Sequence, residues 1–105
     1  MKSFIPLFVL LLISHKLEAQ NCPPGRTPGI INVCRHPRAR DCIGVGSGNT
    51  CENLGVGSFD SGFTSGLYQC TIYSGLGCRG DSEKVDKVGP NKFRLNPRSI
   101  LCPCV

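Results

Sequence analysis

This sequence predicts an all-β fold cross-linked by disulfides, and three observations carry the prediction. Glycine and proline are dense, 13 and 8 in 105 residues, which opposes helices. The apolar residues recur in short runs, and no stretch of ten residues combines helical spacing with freedom from breakers. Eight cysteines, an even number, all lie beyond residue 21. That is the usage of a small domain that staples what its core cannot hold alone.

The first nineteen residues stand apart. Lys2 precedes the apolar run Phe4 to Ile13 and a polar stretch ending in Ala19, the pattern of a secretory signal peptide over residues 1–19. The run is too short to span a bilayer and no second candidate follows, so no transmembrane segment is expected. Residues 20–105 then form one domain placed outside the cell. This segment holds ten Lys and Arg against six Asp and Glu, a net charge of +4. Such a balance favours anionic surfaces mildly and is too modest to imply nucleic acid.

Taken in order, the strand-like runs are Ile30 to Val33, Cys42 to Val45, Leu67 to Tyr73, Val85 to Val88 and Ser99 to Val105. All are short and rich in β-branched or aromatic residues. The glycine-rich segments at 44–48 and 55–59 read as turns and strand edges, and neither is a phosphate loop, because no Gly-Lys-Ser/Thr follows. A longer period is also present. One unit starts at Ile30-Ile31-Asn32-Val33-Cys34, passes a loop to Asp41-Cys42 and closes near Phe59 to Ser65; a second starts at Cys70-Thr71-Ile72-Tyr73 and closes near Phe93 to Ser99. Two copies of about forty residues, roughly 30–69 and 70–105, predict paired Greek keys.

With these residues in place the chain resembles the βγ-crystallin superfamily. The motif of that family opens with an aromatic, six residues and a glycine, as in Tyr73 through Gly80, and Ser99 stands where the family carries a serine before its fourth strand. In the first unit Cys34 takes the aromatic position and Asp41 the glycine position. The first copy is therefore closer to cysteine-rich secreted members from fungi and bacteria, which have near equivalents of "CENL" and "FDSGFTS". The resemblance implies a two-Greek-key β-sandwich, with Gly75, Gly77 and Gly80 serving a hairpin folded over Tyr73. It further implies an effector-like, antimicrobial or killer-toxin-like binding protein. A protease inhibitor and a wall-associated structural protein are the alternatives.

The family's calcium loop sets hard oxygen donors at fixed spacing. Asp60, Ser61, Thr64 and Ser65 match it apart from Ser61, and form one weak calcium candidate; otherwise Thr64 and Ser65 cap a turn. The second unit offers Arg94, Leu95, Arg98 and Ser99, where arginine repels a cation. A zinc site from His36, Cys102 and Cys104 is disfavoured, because no CxxC pair is present and the route is oxidising. No enzyme is expected: His36 sits among Arg35, Pro37 and Arg38 with no nucleophile elbow, and Asp81, Glu83 and Asp86 read as solvated carboxylates. The tripeptide Arg79-Gly80-Asp81 has adhesive connotations, yet Gly80 already has a structural use.

The remaining signal is basic. Arg35, Arg38 and Arg40 lie in the first unit's loop, and Arg94 and Arg98 in the degenerate ion loop. Arginine forks in these loops suit the sulfate, phosphate or carboxylate groups of an anionic glycan, lipid or protein. For the disulfides, Cys22, Cys34, Cys42, Cys51, Cys70, Cys78, Cys102 and Cys104 allow 105 pairings. Joining the first and last strands of the second unit favours Cys70 with Cys104 and Cys78 with Cys102. The other four then pair within the N-terminal half.

Overall fold

The computed structural model describes residues 22–88 and 92–105; the expected signal peptide, residues 1–19, lies outside them. Among the described residues the chain forms seven strands and no helix: β1 Ile30–His36, β2 Arg40–Gly46, β3 Glu52–Asn53, β4 Ser61–Thr64, β5 Cys70–Gly75, β6 Arg79–Val85 and β7 Ser99–Leu101. They make two antiparallel sheets, ordered β2-β1-β4 and β3-β7-β5-β6. The all-β expectation is met.

β1 forms because Ile31 and Val33 alternate with Asn32 and bury themselves on one face. Its partner β2 is an edge strand with its first five residues exposed, Ile43 among them. β5 buries Cys70 and Ile72, and β7 buries Ser99 and Ile100. The inner faces join one core of Ile31, Val33, Leu54, Phe59, Cys70, Ile72, Val85, Phe93, Ile100 and Cys102.

The sheets exchange chain. β3 leaves the first half to pair with β7, setting Glu52 opposite Ile100 and Asn53 opposite Ser99. In the other direction, Thr64 of β4 donates its N–H to the carbonyl of Asp86, 3.2 Å away. The first half thus supplies a strand to the second sheet, and one hydrogen bond ties the second half back to the first.

Boundaries differ from the sequence expectation: β7 ends at Leu101 rather than Val105, β2 starts at Arg40 rather than Cys42, and two further differences have a physical reason. β6 occupies Arg79–Val85 rather than Val85 to Val88, because the tight turn after Gly75 returns the chain at once. β6 is charged because it is an edge strand, exposed along its first four residues. β5 begins at Cys70, not Leu67: Leu67 is 90% exposed in the connecting turn. Tyr68 in that turn is used differently. Its hydroxyl accepts from the Ile30 N–H at 2.8 Å and donates to the Ile30 carbonyl at 3.1 Å.

A repeated device pins the two hairpins. Ser61, the first residue of β4, donates its hydroxyl to the His36 carbonyl at 2.7 Å and accepts from the Ala39 N–H at 3.3 Å. Ser99, the first residue of β7, donates to the Gly75 carbonyl at 2.6 Å and accepts from the Cys78 N–H at 2.8 Å. Both serines are fully buried. The backbone repeats too: Arg38, Ala39 and Asp41 have φ of 65°, 57° and 60°, and Gly77, Cys78 and Gly80 have 68°, 57° and 88° in the same order. Gly77 and Gly80 meet this left-handed requirement without a Cβ. Gly75 has a different reason, since a Cβ there would lie 3.0 Å from the Arg79 carbonyl oxygen.

The disulfides are Cys22–Cys104, Cys34–Cys42, Cys51–Cys78 and Cys70–Cys102, which uses all eight cysteines. The expected Cys70–Cys104 and Cys78–Cys102 pairs are incorrect, as is confinement of the other four to the N-terminal half. Register explains the first error: Thr71 faces Leu101, so Cys102 is the residue that falls beside Cys70. Cys104 instead bridges to Pro28, which puts it near Cys22. Chain exchange explains the second, because the β5–β6 turn folds onto β3, where Gly77 donates to the Asn53 side chain and Cys78 meets Cys51. Only Cys34–Cys42 stays within the N-terminal half.

Two predictions follow from this bonding pattern. Cys22–Cys104 closes 82 residues and Cys34–Cys42 closes eight, so loop-closure entropy assigns them about 4.5 and about 2.5 kcal/mol respectively. In guanidinium unfolding, the Cys22→Ser/Cys104→Ser double variant should lose more stability than Cys34→Ser/Cys42→Ser; the reverse order would refute the account. Ser99→Ala strands a buried N–H and a carbonyl and should cost about 1–3 kcal/mol, measured in the same way. A loss below about 0.5 kcal/mol would show that the hydroxyl does not hold the turn.

Candidate functional site

The basic residues singled out from sequence come from two separate stretches, and the fold brings those stretches to the same loop. Between β3 and β4 the chain runs through residues 54–60. The Arg35 guanidinium lies 5.0 Å from the centre of the Phe59 ring, a cation–π arrangement that also packs the arginine stem. From the second half, the Arg98 carbonyl accepts the Leu54 N–H at 2.8 Å, the Asn96 side chain accepts the Phe59 N–H at 3.2 Å, and Phe93 donates to the Asp60 carbonyl at 2.6 Å. Arg35 and the segment carrying Arg94 and Arg98 therefore flank one loop. Val56 stands at its apex, 94% exposed between Gly55 and Gly57.

The five arginines are not equivalent. Arg94 is held by Glu83, whose carboxylate accepts the Arg94 N–H at 2.9 Å and lies 4.0 Å from its Nε. Glu83 is itself 7% exposed, so its negative charge is committed to that segment. It is not the solvated carboxylate expected from sequence.

Arg38 and Arg40 belong to the tip of the first hairpin. His36 faces Arg40 across the strands, which leaves Pro37, Arg38 and Ala39 to make the turn. His36, Pro37, Arg38 and Arg40 line an open cavity of about 320 Å³. Arg38 and Ala39 of the turn and Asp41 at the start of β2 hold left-handed backbone without a glycine, a conformation that costs roughly 1 kcal/mol or more for an ordinary residue. Ser61 and the Cys34–Cys42 disulfide hold it in place. His36 and Phe59 were not assigned binding roles from sequence; the placement of His36 and Arg40 on either side of a three-residue turn was the available signal.

The calcium candidate has a different arrangement. Ser61 serves the hairpin, Thr64 directs its hydroxyl to the carbonyls of Gly66 and Tyr68 at 2.9 and 3.1 Å, and Ser65 accepts from the Asn32 side chain at 3.0 Å. Thr64 thus caps the turn that follows it, whereas Ser65 is tied to β1. The register of the two halves also shifts the motif: Asp60 donates to Cys34 and Arg98 donates to Tyr73 at the same 2.8 Å, so Ser61, not Ser65, corresponds to Ser99. Val56, Gly57, Asp60 and Ser61 then occupy the positions of Arg94, Leu95, Arg98 and Ser99. The zinc alternative is removed by the bonding of Cys102 and Cys104 into disulfides. Among the described residues no group of three metal-ligating side chains occurs.

Arg79 and Asp81 are exposed at the start of β6, and Gly80 between them takes a φ of 88°. Asp81 donates its N–H to the Ser74 hydroxyl at 2.9 Å. A second cavity, about 270 Å³, lies at Leu67, Tyr68, Gln69, Asp86, Lys87 and Val88. No helix among the described residues is long and apolar enough to cross a membrane. Comparison with family models, curated proteins and solved structures finds no match for this chain.

Gly57 is the weak point of the loop. Its φ is 114° and a Cβ there would collide with the Arg35 guanidinium. Gly57→Ala should displace Arg35 from Phe59 and lower stability by about 1 kcal/mol, read by chemical unfolding. Unchanged stability together with an unmoved Arg35 in a structure of the variant would contradict this packing.

Proposed function

We propose that the chain is a small secreted binding protein of effector-like or antimicrobial, killer-toxin-like character, which recognises anionic groups on an extracellular or cell-surface target. One observation carries the reading: arginines from both halves of the chain, Arg35 on Phe59 and Arg98 beside Leu54, meet at one loop. Arg38 and Arg40 occupy the adjoining hairpin. Guanidinium groups held on a rigid, cross-linked body lose less freedom on binding than the same groups on a floppy chain. An all-disulfide cysteine complement supports an oxidising, extracellular location.

The βγ-crystallin-like arrangement belongs to the same proposal. In its support stand the exchange of β3 into the second sheet, the twin left-handed hairpins and the serine that pins each. The first half has four strands, the third of them given to the second sheet, and that crossing is a connection pattern that Greek keys satisfy.

The test uses the purified, oxidised protein on intact cells. Binding should fall several-fold as salt rises from low to a few hundred millimolar, and the Arg35→Ala/Arg98→Ala variant should bind at least about tenfold more weakly, roughly 1.4 kcal/mol. Growth inhibition of the bound cells would establish the antimicrobial reading. Salt-insensitive binding that the double variant leaves unchanged would overturn the anionic reading, and potent protease inhibition in a parallel assay would transfer the protein to the inhibitor class.

A further inference from the structure

We propose that the cavity at the tip of the β1–β2 hairpin is a binding site for a sulfate or phosphate monoester group carried on a glycan. The proposal rests on the anionic-surface reading above and narrows it to one site.

The lining is His36, Pro37, Arg38 and Arg40. His36 and Arg40 are directly opposed in the ladder, so their side chains leave the same face of the hairpin. Arg38 closes the turn between them. Each guanidinium offers five N–H donors in a planar fork, and the imidazole ring adds another. A monoester of sulfate or phosphate presents three terminal oxygens, enough to engage both forks, whereas a carboxylate presents two and is satisfied by one. No carboxylate lines the cavity to compete.

Size and surroundings favour a glycan as the carrier. About 320 Å³ lies at the lower end of small-molecule sites, room for the anion and part of the ring that bears it. Pro37 gives that ring an apolar wall. The large apolar side chains that are exposed, Ile43, Val56, Leu67, Leu76, Val88 and Val105, all lie outside the turn, so the tip itself has nothing to insert into a bilayer.

The backbone is consistent with selection for these side chains. At equivalent positions the second hairpin uses Gly77 and Gly80, and the first keeps Arg38 and Asp41 in the same left-handed conformation. The geometry that favours glycine is spent on an arginine at the cavity wall. Ser61 and the Cys34–Cys42 bridge fix that geometry before any ligand arrives.

The test is a titration of the oxidised protein, followed by amide NMR and calorimetry, with a sulfated disaccharide, its desulfated counterpart, inorganic phosphate and phosphatidylglycerol vesicles. The sulfated sugar should bind at least tenfold more tightly than the desulfated one, with shifts centred on residues 36–41, and phosphate should perturb the same amides. Arg38→Gly, which removes the guanidinium while suiting the backbone, and Arg40→Gln should each weaken binding severalfold, whereas Lys84→Ala on β6 should not. Amide spectra of both variants confirm that they fold. Equal affinity for the desulfated sugar, or vesicle binding without sugar binding, overturns the proposal. Loss of binding in Arg98→Ala but not in Arg38→Gly or Arg40→Gln overturns this site and leaves the broader anionic reading intact.

Discussion

A buried serine hydroxyl at the start of the last strand of each half holds the molecule together. Ser61 and Ser99 each join a hairpin tip to the strand that closes the sheet, donating to one carbonyl and accepting one N–H. In a buried site such a pair of bonds matters less for what it adds than for what its loss would strand. In the first half the folded-over hairpin carries Arg38 and Arg40 at its tip. In the second half the hairpin delivers Cys78 to Cys51. Both consequences depend on the same local geometry.

Around those pins the core is small, ten buried residues among those described. Chains of this size bury too little apolar surface to offset their conformational entropy with much margin. The disulfides make up the difference at complementary places. Cys70–Cys102 sits in the core between β5 and the segment after β7, while Cys22–Cys104 ties the N-terminal segment to the C-terminus and Cys51–Cys78 ties the exchanged strand to the far hairpin. Exchange of β3 ties the halves together, because the second sheet is completed by a strand of the first half. The cross-links and the exchange therefore reinforce one another.

The surface electrostatics are best understood as placement. An exposed ion pair contributes little by itself, and the Arg94 side chain beside Glu83 is 85% exposed. What Glu83 does is anchor the Arg94 N–H in the segment that leads to Arg98. Arg35 is fixed by an aromatic ring rather than by a carboxylate. Its charge stays available to a ligand while its stem is ordered, the condition under which an arginine binds an anion at low entropic cost.

Much of this was legible in the sequence. Glycine and proline density gave the all-β class, the run Ile30 to Val33 gave the first strand, and the resemblance to the βγ-crystallin motif implied the correspondence of Cys34 with Tyr73 and of Asp41 with Gly80, positions whose backbone angles and hydrogen bonds repeat. Local chemistry decides these features, so a linear reading reaches them. The disulfide partners, the two-residue β3 and the edge strand β6 were not legible, because Glu52-Asn53 and a run of charged residues carry no strand period. They become strands by lying beside β7 and β5. The site divides in the same way. The sequence identified the arginines, and the local hairpin pairs His36 with Arg40, but only tertiary structure put Arg35 and Arg98 at one loop. Proximity between residues more than sixty positions apart is set by sheet register and strand exchange, which no local pattern encodes.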